Sequence, residues 1–192
     1  MSTLATFPIE SIALRDGTPV QVRSLRLDDT ERIKAFFYRL SPQSIFYRLL
    51  EYRTAITDAE ARLLCDMDGR TRVAIAATSL MDDAEHIIAV ARYSLVDPAD
   101  GETGEAAIVV QDDYQKRGLG TILIRRLVEY ARAHGVRRFV ATIHSNNAQI
   151  LRFIERSGLH VDRHLRHGVW EFTIDLDPTS ARPGASLDPY PN

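Results

Sequence analysis

A glycine-containing turn between an apolar segment and an amphipathic one carries the residue types best suited to bind an anion. Residues 106–110 form an apolar run of strand length, and residues 122–134 place apolar side chains at helical spacing. Gly118 and Gly120, in the turn between them, let the main chain approach a ligand without interference from a Cβ atom. The first N–H groups of the predicted helix have no partner within it and lie at the positive end of its dipole. The segment therefore predicts a phosphate-binding site.

The spacing of the glycines excludes two common nucleotide-binding motifs. A dinucleotide fingerprint needs a third glycine where Leu123 stands, and a P-loop needs a Gly-Lys pair, which the sequence lacks. Residues 115–120 instead resemble the Gln/Arg-x-x-Gly-x-Gly/Ala signature of the GNAT superfamily of N-acetyltransferases. This resemblance implies that acetyl-CoA is the cofactor, with its pyrophosphate at the turn. The cofactor-binding residues that it implies are Ile108, Val109, Val110, Gln115, Lys116, Arg117, Gly118, Leu119, Gly120, Thr121 and Asn147.

The downstream sequence extends the resemblance to a second half of the cofactor site. Residues 138–143 are predicted to form the next strand, and residues 145–159 a helix that closes with Gly158. The resemblance implies that Asn147, which opens this helix, contacts the pantetheine or phosphate arm of acetyl-CoA. A plain N-cap role is the alternative for Asn147.

Glu105 is the candidate general base. An alkylammonium group has a pKa of about 10.4, so a base must remove its proton at neutral pH. Residues 14–23 and 40–48 resemble the GNAT domain of bacterial protein-lysine acetyltransferases. Glu105, at the start of the central strand and ten residues before Gln115, stands where those enzymes place a catalytic glutamate. It is expected about 16 Å along the strand from Val110, so the proton would pass through water. The alternative is a solvated strand-end carboxylate, and the rival bases are Glu102, Asp112, Asp113 and His144.

No side chain is assigned as the general acid. In the GNAT family a tyrosine seven residues after the helix-opening Asn commonly protonates the departing thiolate, and Ile154 occupies that position here. A thiolate is a fair leaving group without such an acid, because its conjugate acid has a pKa of about 8.5. A main-chain N–H near Val110, where the central strand is expected to part from its neighbour, is predicted to polarise the thioester carbonyl.

Two N-terminal segments bear on the acceptor. Residues 14–23 and 40–48 resemble the GNAT domain of bacterial protein-lysine acetyltransferases that modify acyl-CoA synthetases. The resemblance implies that the acceptor is a lysine on a partner protein such as an acyl-CoA synthetase. A small amine, such as a polyamine, an amino acid or an antibiotic, is the first alternative. A pocket closed by Tyr38, Tyr47, Tyr52 and acidic side chains would favour it. A non-catalytic acyl-CoA sensor or interaction domain is the second alternative.

Composition restricts the class of protein. A chain of 192 residues with 45% hydrophobic content and a net charge of −2 fits a cytoplasmic α/β domain and argues against nucleic-acid binding. Cys65 is the only cysteine, so no internal disulfide can form and no metal site is expected. No apolar run approaches the roughly 20 residues of a membrane span. The sequence leaves open whether the chain forms a homodimer. Most of its arginines are expected to form solvated surface.

The elements that must position these residues are predicted to build one α/β domain of α+β type. The resemblance implies a central mixed, mostly antiparallel sheet that is splayed at the cofactor site and flanked by helices. The turn signal at Asp16-Gly17 predicts an N-terminal hairpin. Helices are predicted after residues 28, 42 and 57, and further strands at 72–79, 86–96, 160–164 and 169–176. The predicted division is an N-terminal extension (1–19), a GNAT acetyltransferase domain (20–176) and a disordered tail rich in Pro, Ser and Asp (177–192).

Overall fold

The computed structural model describes residues 7–177, which form one eight-stranded sheet and five α-helices. The strands are β1 (Glu10–Ala13), β2 (Pro19–Ser24), β3 (Arg72–Met81), β4 (Ala84–Leu95), β5 (Thr103–Val110), β6 (Arg138–His144), β7 (Val161–Arg166) and β8 (Val169–Asp175). The helices are α1 (Thr30–Arg39), α2 (Pro42–Leu49), α3 (Asp58–Cys65), α4 (Leu119–Ala133) and α5 (Ala148–Ser157). The strand order in the sheet is β1-β2-β3-β4-β5-β6-β8-β7.

The pairing of β5 with β6 is the one parallel pairing in this sheet, and it is short. Thr103–Glu105 pair with Arg138–Val140, and there the ladder stops. β5 continues to Val110 alongside β4, while β6 continues to His144 alongside β8. The two strands therefore separate and leave a gap in the middle of the sheet. The predicted fold, a mixed and mostly antiparallel sheet with a splay and flanking helices, is confirmed.

Short polar signals fix the ends of several elements. Gly17 adopts φ +83° in the turn between β1 and β2, which confirms the predicted hairpin. Ser41 caps α2 by accepting the N–H of Ser44 at 3.2 Å, and Pro42 occupies the first turn, where its missing N–H costs nothing. Thr57 caps α3 in a reciprocal capping box.

Apolar side chains on both faces of the sheet hold the helices in place. α4 buries Leu123 and Leu127 against one face, and α1 buries Ile33 and Phe36 against the other. Each such side chain contributes about 1.5–3 kcal/mol by leaving water. Cys65 is buried in the second of these layers, where burial raises the pKa of its thiol to about 11. It is a protonated packing residue.

Some element boundaries differ from the predicted ones for local reasons. α4 begins at residue 119, three residues early, because Gly118 at φ +91° can serve as its N-cap. α5 covers 148–157 of the predicted 145–159, since the chain before it forms a turn. The β3–β4 loop is only Asp82-Asp83 rather than residues 81–85, because both aspartates adopt the positive φ that a two-residue hairpin turn requires.

The ends of the described chain extend this sheet. β1 and β2, which overlap the predicted extension 1–19, join it through the antiparallel pairing of β2 with β3. Of the predicted tail, only Asp177 lies within the described residues. No helix between residues 7 and 177 is long and apolar enough to cross a membrane.

A buried guanidinium ties β2 to the start of α1 and to β4. Arg23, 3% exposed, donates to both carboxylate oxygens of Asp29 at 2.7 and 2.8 Å and to Glu85 at 3.0 Å. Asp29 has no exposed surface and also accepts the N–H of Arg26 at 2.9 Å. Burial alone would raise the pKa of Asp29, but the hydrogen bonds from Arg23 and Arg26 outweigh it and lower that pKa.

Replacing Asp29 with Ala is expected to lower the free energy of unfolding by about 3–5 kcal/mol, because Arg23 would stay buried without its main partner. The exposed neighbour Asp28 provides the control, since Asp28→Ala should change stability by no more than about 0.5 kcal/mol. Urea unfolding of both variants measures the difference. Because folding lowers the pKa of Asp29, its contribution is present above the ordinary value of 3.8 and is lost as the pH falls through the folded-state pKa. Equal stabilities of the two variants at neutral pH would contradict the assignment.

Candidate active site

The gap between β5 and β6 exposes main-chain groups of β5 that lack a strand partner. The N–H of Gln111 donates to the carbonyl of Ile88 in β4 at 2.8 Å. Because peptide groups alternate sides along a strand, the N–H groups of Ile108 and Val110 point the other way, toward β6. The ladder with β6 has already ended at Glu105, so these two donors face the gap.

β5 and β6 separate earlier along the chain than the sequence predicts. The separation was expected near Val110, but pairing ends after Glu105. The reason is that β6 pairs with β8 along its whole length and follows that strand away from β5. The gap therefore runs along most of β5, and the predicted cofactor residues Ile108 and Val110 both border it.

The turn after β5 delivers the N-terminus of α4 beside this gap. Lys116, at φ +61°, and Gly118, at φ +91°, turn the chain into the helix. Within residues 7–177 no side chain caps α4, and the first N–H bonded inside the helix is that of Ile122, to the Gly118 carbonyl at 3.2 Å. The N–H groups of residues 119–121 therefore point out of the positive end of a 15-residue helix. This is an arrangement that binds anions.

The predicted cofactor residues of the turn meet the end of β5. A Cβ atom added at Gly120 would lie 3.7 Å from the side chains of Ile108 and Val110, so the helix start packs directly on the strand. Leu119 is 1% exposed, which leaves only its main chain available to a ligand. Val109 faces the opposite side of the sheet, where it packs with the core below α1 and α3.

Asn147 lies at the start of α5 as its N-cap residue. Its side-chain oxygen accepts the N–H of Ile150 at 3.5 Å, a long hydrogen bond. The capping alternative is therefore present in the structure, and a role toward the cofactor stays a prediction. Seven residues on, Ile154 is buried with Ile143 and Phe172, so this position presents no acid to the gap.

The tip of the β1–β2 hairpin adds a cation that sequence reasoning missed. The N–H of Arg15 donates to the carbonyl of Arg117 at 3.3 Å, and the Arg15 side chain lies 3.5–3.8 Å from where a Cβ of Gly118 would stand. Arg117 in turn pairs with Asp16 at 2.9 Å. With Lys116, three basic residues surround the helix start. No local pattern marks Arg15, because only the contact between two distant loops brings it here.

A hydrogen-bond network fastens α2 to the turn after β5. Asp112 accepts the Ser41 N–H at 2.9 Å and the hydroxyls of Ser41 and Ser44 at 2.7 and 2.9 Å. The side-chain amide of Gln115 donates to Ser44 Oγ at 3.1 Å and to the carbonyl of Val110 at 3.0 Å. The motif glutamine therefore holds the turn in shape, and the Ser-Pro start of α2 is part of the same structure.

This network makes Asp112 unsuitable as a general base. Burial would raise its pKa, yet the three hydrogen bonds from Ser41 and Ser44 stabilise the carboxylate and lower the pKa below its ordinary value. A group that holds its negative charge so firmly accepts a proton poorly.

Two of the other rival bases, Glu102 and His144, are also placed elsewhere or occupied. Glu102 forms ion pairs with Arg137 and Arg138, at 3.4 and 3.8 Å, at the closed end of the gap. The Nδ1 atom of His144 accepts the N–H of Asn146 at 3.2 Å, so in the neutral ring the proton sits on the other nitrogen. His144 therefore has no free acceptor atom.

Glu105 is exposed and stands among cations on the face of the sheet that α1, α2 and α3 cover. In the ladder it lies opposite Ser94, whose hydroxyl accepts a hydrogen bond from Arg92 Nη2 at 3.2 Å. The carboxylate of Glu105 also acts electrostatically on Arg48 of α2. The rival Asp113, in the turn after β5, is also exposed, so the structure leaves both Glu105 and Asp113 accessible as candidate bases.

A cavity of about 230 Å³ lies between these helices and the sheet. Val90 and Val109 form part of its floor, and Arg48 and Arg92 supply charge to an otherwise mostly apolar lining. Burial lowers the pKa of both guanidiniums, and repulsion by Arg92 adds to the effect at Arg48. Arg48 and Arg92 are exceptions to the expectation that most arginines form solvated surface, because they line the space between α2 and the sheet and are only partly exposed.

The three tyrosines that could close a small pocket are not part of the lining of this cavity. Tyr38, 60% exposed, and Tyr52, 84% exposed, line a second, neighbouring cavity of about 330 Å³. Tyr47 donates to the carbonyl of Asn146 at 3.1 Å and so bridges α2 to the turn after β6. The surface around the cavity is therefore open and aromatic.

Comparisons with known proteins agree with this geometry. Residues 36–159 match the model of the Acetyltransferase (GNAT) family. Acetyltransferase PA5475 of Pseudomonas aeruginosa is 34% identical, over 66% of this chain and 67% of that protein. An L-methionine sulfoximine/L-methionine sulfone acetyltransferase of Pseudomonas paraeruginosa is 32% identical, over 60% of this chain and 74% of that protein. The solved GNAT domain of S. lividans PAT is 27% identical with a TM-score of 0.78, covering 88% of this chain and 99% of that one.

Acetyl-CoA is the acetyl donor of the matched family, and the residues present fit it. Its pyrophosphate suits the uncapped N-terminus of α4, near Arg15, Lys116 and Arg117. Its pantetheine arm carries amide groups that suit the unpaired N–H groups of Ile108 and Val110.

Thr121 allows a test in which charge alone is varied. Thr121→Glu is expected to keep or slightly raise the melting temperature, because a carboxylate is favourable in the first turn of a helix. The same carboxylate should weaken acetyl-CoA binding by about 10-fold or more, since it repels the pyrophosphate. Thr121→Gln is the neutral control of matched size. Calorimetric titration of both variants decides, and equal dissociation constants would show that the phosphates bind elsewhere.

Proposed function

Because the chain belongs to the GNAT acetyltransferase family, and so is an N-acetyltransferase that uses acetyl-CoA, we propose that it acetylates a lysine on another protein. The observation that supports this acceptor is the open rim of the cavity. Leu63, in the lining of the cavity, is 62% exposed, and Tyr38 and Tyr52 are exposed in the neighbouring cavity. Exposed aromatic and apolar side chains around a site favour contact with a macromolecule. The resemblance of residues 14–23 and 40–48 to acetyltransferases of acyl-CoA synthetases suggests such a synthetase as the partner.

Each part of the site has a defined task under this proposal. When bound, acetyl-CoA supplies the acetyl group as a thioester. The start of α4 holds the phosphates, and the N–H groups of Ile108 and Val110 hold the arm that lies in the gap. Glu105 accepts the proton that the acceptor amine must lose, through water because it stands about 10 Å along the strand from Ile108.

A small amine is the second candidate acceptor. It is supported by the similarity to the L-methionine sulfoximine/L-methionine sulfone acetyltransferase. The exposure of Tyr52, which is 84%, favours the protein acceptor over it, because such a side chain offers a contact surface to a macromolecule. A non-catalytic sensor is less consistent with the site, since a sensor needs no accessible carboxylate at Glu105. We also propose that the protein acts in the cytoplasm.

Glu105→Gln is expected to lower turnover by about 100-fold or more while acetyl-CoA binds as before, because the variant loses proton removal and keeps ground-state binding. Glu102→Gln is the matched control, since Glu102 lies three residues earlier and only forms surface ion pairs. Steady-state kinetics and calorimetry on both proteins give the two quantities. If Glu105→Gln turned over at the wild-type rate, the base would have to be another group or solvent.

The acceptor class can be decided directly. The purified chain is incubated with isotope-labelled acetyl-CoA and acyl-CoA synthetases, and separately with polyamines, amino acids and aminoglycosides. We expect mass spectrometry to detect acetyl-lysine on a synthetase, with little label on the small amines. Rapid acetylation of a small amine, with no acetyl-lysine on any protein, would replace the proposal with the second candidate.

A further inference from the structure

The four charged side chains that line the cavity are not equally compensated. Arg53 pairs with Glu60 at 2.7 Å, so this cation and this anion neutralise each other. Arg48 and Arg92 have no carboxylate within 4 Å among residues 7–177. Arg92 donates a hydrogen bond to Ser94 Oγ at 3.2 Å. Two guanidiniums thus meet in a mostly apolar lining without an acid of their own.

The surrounding groups leave this pair with an excess positive charge. Arg72, which lies diagonally across the β3–β4 ladder from Arg92, is already paired with Asp66 at 3.0 Å. Cys65, also near Arg92, stays a neutral thiol. Glu105 is the carboxylate that acts on both guanidiniums, and it supplies one negative charge against two positive ones.

Half-buried charges of this kind are normally compensated by a partner. We infer that Arg48 and Arg92 form a subsite for a carboxylate of the acceptor, placed beside the amine that Glu105 deprotonates. This inference rests on the proposed function, because it takes Glu105 as the base.

The walls of the cavity define the rest of the acceptor. Ile45, Leu49, Val90 and Val109 are apolar and suit an alkyl chain between the amine and the carboxylate. In a protein acceptor that carboxylate is an Asp or Glu near the target lysine. In an extended segment, residues two apart point to the same side, so the acid is expected two positions from the lysine. A free amino acid offers the same chemistry through its α-carboxylate.

The test compares peptides that contain one lysine and differ only in Asp or Asn two positions away. For the wild-type protein, kcat/KM is expected to be about 10-fold or more higher with the Asp peptide, the effect of a hydrogen bond between charged groups. Arg48→Gln and Arg92→Gln should each bring this ratio close to one. Arg62→Gln, which removes an exposed arginine of α3, should keep the wild-type ratio.

Two further measurements keep the interpretation unambiguous. Melting temperatures and acetyl-CoA affinities of all variants show that they are folded, and Arg48, at the end of a helix, provides the second variant if Arg92→Gln is unstable. Calorimetry with the acetyl-lysine forms of both peptides measures the subsite without turnover. There, tighter binding of the Asp peptide that disappears in Arg48→Gln supports the subsite.

The outcomes separate the inference from the proposed function. Turnover of both peptides at equal kcat/KM overturns the subsite and leaves protein acetylation standing. Acetylation of free amino acids but not of their methyl esters, dependent on Arg48 and without peptide turnover, supports the subsite and overturns the protein acceptor. If no amine is acetylated, the proposed function fails, and equal calorimetric binding of the two acetyl-lysine peptides overturns the subsite as well.

Discussion

The parting of β5 from β6 is the constraint on which the candidate site depends. A sheet interior normally leaves no main-chain group unpaired, because a buried N–H without a partner costs about 1–3 kcal/mol. Here the N–H groups of Ile108 and Val110 lack a strand partner, since β6 follows β8 after only three residues of pairing with β5. A bound ligand with amide groups can form the hydrogen bonds that a paired strand would otherwise supply to these N–H groups. The candidate binding site is therefore an interruption of strand pairing within the sheet rather than a pocket between side chains.

Such a defect needs support from outside the sheet. The turn after β5 is held by Gln115, which bonds to the Val110 carbonyl, and by Asp112, which bonds to both serines of α2. Tyr47 reaches across to the far strand through the carbonyl of Asn146. α2 thus spans the opening and fixes the separation between its two sides. Because the same helix carries Arg48, the element that holds the gap open also shapes the acceptor side.

What the sequence predicts follows the range of the interactions concerned. The strand, turn and helix around residues 115–121 depend on neighbours in the chain, so apolar spacing and two glycines predict them. The hairpin at Asp16-Gly17 is local for the same reason. By contrast, Arg15 reaches the phosphate turn only through contact between two distant loops, and nothing next to it in the sequence indicates that. Arg48 and Arg92 look like solvated arginines in the sequence, and only the packing of α2 over β5 brings both to the lining of one cavity. The splay was expected from resemblance, but its position depends on the pairing of β6 with β8.

The ion pair between Asp16 and Arg117 has a consequence for how tightly a phosphate can be held. Arg117 already forms an ion pair with the Asp16 carboxylate at 2.9 Å. A phosphate that displaces Asp16 therefore gains only the difference between the two interaction energies with Arg117. Counting the positive charges around the start of α4 would therefore overstate the affinity for a phosphate. If the cofactor phosphates bind here, Asp16 competes with them for Arg117, and this competition favours the release of free CoA after each cycle.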